Sequence, residues 1–180
     1  MPYICQTALT ELPILCDTLA GCLVPPVVLL LTGNLGTGKT TFMQFLGQSL
    51  GIKEQITSPT FTLIDEYYSG SIPLYHIDLY RLAPDAVADL HLELYWQGQE
   101  FPPGITAIEW SERLTIVPSS FIQVQIEQTK IEDQRLFTWH SQGEDAKTML
   151  DNFWQALPDR LKQCKLSDTI GEGDEGRNSI

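Results

Sequence analysis

Basic residues are scarce in this chain. Eleven lysines and arginines stand against 23 aspartates and glutamates, for a net charge of −12 in 180 residues. An acidic surface repels polyphosphate backbones and gains nothing from counterion release, which excludes a strong nucleic-acid groove built by this chain alone. Cysteine is also sparse. The four thiols, at positions 5, 16, 22 and 164, contain no C-x-x-C pair and no histidine at zinc-site spacing; this excludes a zinc ribbon and reads as reduced thiols in the cytoplasm. No stretch approaches the roughly 18 consecutive apolar residues of a membrane-spanning helix. The opening residues, MPYICQTALTELP, lack the basic start and apolar run of a secretory leader. There is no internal repeat. A chain of this length buries a core without cross-links. One domain is expected over residues 1–165, followed by an acidic, disordered tail at 166–180 whose four acids and one arginine have little to bury.

Apolar patterning alternates between strand and helix signals. Residues 3–9 suit a first strand, and Thr10 suits the cap of a helix reaching Cys22, with Pro13 in its first turn. The run VVLLLT (27–32) is apolar on both faces, as in a buried parallel strand. A helix from Thr40 to Leu50 ends at Gly51. TFTLIDEYY (60–68) and PLYHID (73–78) form a plausible hairpin. Residues 84–95 carry Val87, Leu90, Leu94 and Tyr95 at helical spacing, and GITAIEW (104–110) reads as another buried strand. FIQVQIEQ (121–128) alternates apolar and polar positions, RLFTWHS (135–141) pairs back on it, and a helix covers 144–157. The order implies a three-layer α/β sandwich, with a mostly parallel central sheet and antiparallel edge strands.

The chemistry concentrates at residues 33–41, GNLGTGKTT, between the VVLLLT strand and the next helix. Gly33, Gly38, Lys39 and Thr40 match G-x-x-x-x-G-K-[ST] in the strand–loop–helix context that the phosphate-binding mechanism requires. Glycines at 33, 36 and 38 let the backbone, including the Thr37 amide, wrap a phosphate closely, and the helix dipole adds positive potential there. Lys39 reaches the β- and γ-phosphates as a point charge, and Thr40 offers its hydroxyl to Mg²⁺. Thr41 either meets the α-phosphate or is simply a polar residue of the first helical turn.

A phosphate loop needs an acid at the end of a neighbouring strand. Asp78 ends PLYHID and Glu109 ends ITAIE, each at the carboxyl edge of the expected sheet; spacing does not choose between them as the metal's partner. Ser58, Thr60 and Thr62 in SPTFTL supply hydroxyls of the kind found in switch segments. His76 either orients water or packs, Arg81 either neutralises transferred charge or is structural, and Trp110 belongs to core or contact surface. A small-molecule kinase and a non-hydrolysing nucleotide switch remain alternatives to an ATPase.

GNLGTGKTTF, SPTFTL, HIDLYRL and IEW occur in this order with fitting gaps, and over about residues 8–157 the chain resembles the TsaE (YjeE-like) family. The resemblance implies a P-loop ATPase component of the bacterial system that forms threonylcarbamoyladenosine at position 37 of tRNAs reading codons that begin with A. It implies ATP on Gly36 to Thr41, Mg²⁺ on Thr40 and Glu109, and Asp78 nearby as a catalytic or switch acid, with SPTFTL and HIDLYR as switch-like segments. It implies weak hydrolysis alone, more with the partner proteins TsaD and TsaB, and hydrolysis that resets the machine. tRNA is then contacted chiefly by the partners. The sequence departs from the family at Asn34, usually aspartate, at Cys16, commonly glycine, and in the turn before the last strand, where an arginine near nucleotide is usual and Lys130 or Arg135 remains. In filter binding at moderate salt, the isolated chain is expected to retain little tRNA; tight retention contradicts the charge argument.

Overall fold

Five consecutive apolar residues, VVLLL, mark the centre of the sheet. The computed structural model describes residues 2–162, so the tail expected at 166–180 and Cys164 lie outside the described residues. In chain order the strands are β1 (Tyr3–Ala8), β2 (Val27–Thr32), β3 (Ile64–Tyr67), β4 (Leu74–Asp78), β5 (Ile105–Glu109), β6 (Phe121–Gln128) and β7 (Gln134–Gln142). The helices are α1 (Leu12–Ala20), α2 (Lys39–Ser49), α3 (Pro84–Ala88), α4 (Leu94–Gln97) and α5 (Glu144–Ala156). They build one seven-stranded sheet in the order β1-β7-β6-β2-β5-β4-β3. β2 lies parallel to both β5 and β6, and β5 lies parallel to β4. The edges are antiparallel, with β1 and β6 on β7 and β3 on β4. This is the three-layer P-loop architecture expected from the pattern.

Burial follows the layers. On one face, α1, α2 and α5 cover the sheet with Leu15, Leu19, Phe42, Met43, Leu46, Leu150 and Phe153, against Leu29, Leu31, Ile122, Val124 and Trp139. On the other, the short segments around α3 and α4 supply Val87, Leu92 and Tyr95 against Val28, Leu30, Tyr75, Ile77 and Ile108. That second layer covers β2, β4 and β5, which are buried on both faces. It leaves the glutamines of β6 half-exposed, and the alternation of FIQVQIEQ records this. Buried apolar side chains supply most of the favourable free energy of such a fold.

Local differences from the sequence expectation have local causes. Thr10 does not cap α1: residues Leu9–Glu11 form a 3₁₀ turn, Glu11 takes the cap position without a side-chain bond, and Pro13 sits in the first turn. The helix expected over 84–95 is two short pieces, α3 and α4, and the residues buried along the segment are Val87, Leu92 and Tyr95. His91 breaks the ladder with φ +49°. β3 starts only at Ile64, since Leu63 adopts φ +68° and its N–H closes a turn onto the Pro59 carbonyl. α2 ends as expected: Gly51 is left-handed, and the N–H groups of Gly51 and Ile52 donate to the carbonyls of Gln48 and Gly47. Cys16 lies buried on α1 with its Sγ toward the Phe42 carbonyl of α2. Burial raises the Cys16 and Cys5 thiols well above their ordinary pKa.

Phe42 joins α2 to the sheet. It is fully buried and meets Phe137 and Trp139 of β7 at ring-centroid distances of 6.0 and 6.1 Å. Phe42→Ala is expected to destabilise the fold by about 3–5 kcal/mol, read as a lower urea midpoint with unchanged slope.

Candidate functional site

The loop after β2 is shaped by where β2 ends. Gly33 has φ +139°, and a Cβ there would lie 2.3 Å from the Ile126 carbonyl oxygen of β6. Only glycine lets the chain leave the sheet this close to its neighbour. Gly36 and Gly38 also have positive φ, +79° and +103°, and Gly38 caps α2. The turn is held from within. The Thr37 hydroxyl donates to the Asn34 carbonyl at 3.0 Å, and Lys39 Nζ donates to the carbonyls of Gly33 and Asn34 at 2.7 and 3.1 Å. Asn34 thus serves through its main chain while its side chain is exposed. The Arg135 Nε–H on β7 reaches the Thr37 carbonyl at 2.9 Å, so of the two cations left open by the sequence, Arg135 is the one that meets the loop.

The acids arrive from the neighbouring strands. Asp78 and Glu109 are paired across β4 and β5, and Glu109 is paired with Leu31 of β2, two residues before Gly33. Both carboxylates are almost fully buried. The Thr40 hydroxyl donates to Glu109 Oε1 at 3.0 Å. Asp78 Oδ2 accepts from the hydroxyls of Ser58 and Thr60 at 2.8 and 2.7 Å, and its Oδ1 accepts the Tyr80 N–H at 2.9 Å. Lys39 is buried beside these acids. Desolvation lowers its pKa, while the charges of Glu109, Glu112 and Asp78 oppose the shift. A cleft of about 230 Å³ opens here, lined by Gly36, Gly38, Lys39, Thr40, Thr41, Ser58, Thr60, Asp78 and Glu109 together with Leu35, Tyr80 and Trp110.

The remaining sequence candidates lie elsewhere. Gly33 and Thr37 border an adjoining hollow of about 240 Å³ against residues 125–128 of β6. Thr62 is exposed beyond the cleft. Arg81 is exposed and stacks on Phe61, 4.8 Å from the ring centroid. His76 is fully buried beneath the cleft, with Nε2 2.9 Å from Glu109 Oε1. The expected strand over 104–110 hid one wall of the site. β5 stops at Glu109, and Trp110 turns left-handed with φ +59°, so its ring lies 4.1 Å from Lys39 Nζ and 4.8 Å from the Tyr80 ring. An aromatic directly after a strand-end acid was the available signal; Tyr80 carried none.

A strand, a glycine loop and a helix in this order, with acids from parallel neighbours at the same sheet edge, define a protein of the P-loop class. Residues 7–137 match the family model described as threonylcarbamoyl adenosine biosynthesis protein TsaE, and the chain belongs to that family. It is 62% identical over 97 residues to a protein of Nostoc sp. and 56% identical over 92 residues to one of Synechocystis sp.. It is 40% identical over 120 residues to one of Bacillus subtilis. Each of the three is named tRNA threonylcarbamoyladenosine biosynthesis protein TsaE. These alignments cover 54%, 51% and 66% of this chain and 60%, 59% and 72% of the relatives, so the chain spans about three fifths of the length of the first two. The crystal structure of Bacillus subtilis YdiB superposes with a TM-score of 0.69 at 29% identity, covering 86% of this chain and 95% of that one.

Gly33→Ala combines a disfavoured φ with a backbone clash and is expected to cost at least about 1–3 kcal/mol, read as a lowered thermal midpoint. An unchanged midpoint contradicts the close approach to β6.

Proposed function

We propose that this chain binds and hydrolyses ATP in the cytoplasm, as the energy-coupling component of the machinery that forms threonylcarbamoyladenosine at position 37 of tRNAs reading codons that begin with A. Its partners in this reading are TsaD and TsaB, through which it meets tRNA. The observation that carries the reading is the convergence of Lys39, the Thr40 hydroxyl, Asp78 and Glu109 on one cleft at the N-terminus of α2.

The residues present fit ATP with Mg²⁺. Thr40 and Glu109 already touch, which is the pairing of hydroxyl and carboxylate that suits a hard divalent ion shared with phosphate oxygens. When bound, Mg²⁺ supplies neutralisation of charge on the β- and γ-phosphates. The amides of the glycine loop and the α2 dipole hold the phosphates. Lys39 exchanges the carbonyls of Gly33 and Asn34 for phosphate oxygens. Asp78 is the acid placed to orient attacking water, and its bonds to Ser58 and Thr60 couple it to the preceding loop. Trp110 and Tyr80 wall the cleft beside Lys39. Among the residues lining it, Lys39 is the one cation, which offers a kinase no second positive group for an acceptor phosphate.

The purified chain is expected to release phosphate from ATP slowly alone and faster with TsaD and TsaB present. Glu109→Ala should lose that stimulation and most Mg²⁺ dependence. Normal partner-stimulated turnover by Glu109→Ala overturns the metal assignment, and phosphate passed to a small acceptor rather than water overturns the ATPase reading.

A further inference from the structure

The His76 imidazole is completely buried, yet none of the cleft's lining belongs to it. It stands on the face of β4 that underlies α2, two residues before Asp78. Its backbone partner on β5 is Ala107, whose methyl leaves room for the ring to lean two pairs along the sheet to Glu109, the next residue of β5 on that face. The second ring nitrogen, Nδ1, is a buried polar atom with no hydrogen-bond partner among the described residues. A hydrogen on Nδ1 would bury an unpartnered donor and turn a bare nitrogen toward a carboxylate. The hydrogen is therefore assigned to Nε2, which donates it to Glu109 Oε1. Core stability does not account for a side chain that satisfies one nitrogen and orphans the other, because an apolar residue of similar volume avoids the orphan. The single directed bond to Glu109 does account for it.

We propose that His76 is a positioning residue that fixes the Glu109 carboxylate for metal binding. This deepens the proposed function and rests on its assignment of Mg²⁺ to Thr40 and Glu109. The hydrogen bonds that Thr40 and His76 make to Glu109 both fall on Oε1. The Thr40 hydroxyl is the group that the proposed site commits to the metal, so His76 is the contact that keeps the carboxylate aimed when Thr40 changes partner. The role is that of an outer partner orienting a metal ligand, where loss of the partner costs about 10–100-fold in metal affinity.

The test measures binding of a fluorescent, non-hydrolysable ATP analogue to the full chain as Mg²⁺ is titrated, and again in excess chelator. His76→Leu should raise the Mg²⁺ concentration for half-maximal enhancement about 10–100-fold, with the affinity in chelator unchanged. His76→Gln, whose amide nitrogen can reach the place of Nε2, should restore the parent's Mg²⁺ response. In a Glu109→Ala background, His76→Leu should add nothing further. An unshifted Mg²⁺ response in His76→Leu overturns the proposal, as does a shift that persists without Glu109 or that His76→Gln fails to rescue. If His76→Leu does not fold, His76→Asn, polar but too short to reach the carboxylate, carries the same expectation. Loss of the underlying reading is distinguishable, since the parent itself would then show no dependence on Mg²⁺ or on Glu109.

Discussion

The parallel register of β4, β5 and β2 is the constraint on which the site depends. Asp78, Glu109 and Leu31 lie in one row across the sheet, and β6 continues it with Val124 opposite Leu31. Two residues beyond that row, β2 becomes Gly33 and β6 presents the Ile126 carbonyl. A slip of one residue in any of these pairings would turn the carboxylate concerned to the opposite face, away from α2. The register is fixed in turn by burial on both faces. Leu29, Leu31, Ile105 and Ala107 meet the α1–α2–α5 layer, and Val28, Leu30, Tyr75 and Ile77 meet the α3–α4 layer. The chemistry at the edge is therefore held by apolar packing in the middle.

Placing acids beside a buried lysine carries an electrostatic cost that this arrangement shares out. Desolvation lowers the Lys39 pKa, and Glu109, Glu112 and Asp78 oppose that shift. Lys39 also has two carbonyl acceptors and an aromatic face, while Asp78 has two hydroxyls and an amide. Buried charges paired and bonded in this way are tolerated, whereas the same charges alone would not be. Among the residues lining the cleft Lys39 is the one cation, and the dipole of α2 adds positive potential at the same point against the two acids.

Much of this was legible in the residues. The run VVLLLT, the alternation in FIQVQIEQ and the glycines of GNLGTGKTT each follow from local chemistry that the folded chain keeps, and so does the position of both acids at strand ends. Where legibility failed, tertiary packing chose among locally allowed states. Residues 84–95 have helical spacing, but the backbone turns left-handed at His91, and the second layer buries Leu92 alongside the expected Val87 and Tyr95. Trp110 looked like the last residue of a strand, but its left-handed backbone sets its ring against Lys39 as a wall of the cleft. The contacts of His76 with Glu109 and of Arg135 with the Thr37 carbonyl join residues 33 and 98 positions apart. No local pattern announces such pairs, and only the strand order brings them together.

The central claim is that the loop around Lys39 is a polyphosphate cradle in an otherwise acidic chain. Calorimetric titration of ATP into the full chain and into Lys39→Ala tests it most directly. The account predicts binding at one site in the parent and a loss of about 10–100-fold in the variant, the scale of a charge-assisted bond worth about 1.5–3 kcal/mol. Equal affinity in the two proteins would contradict it.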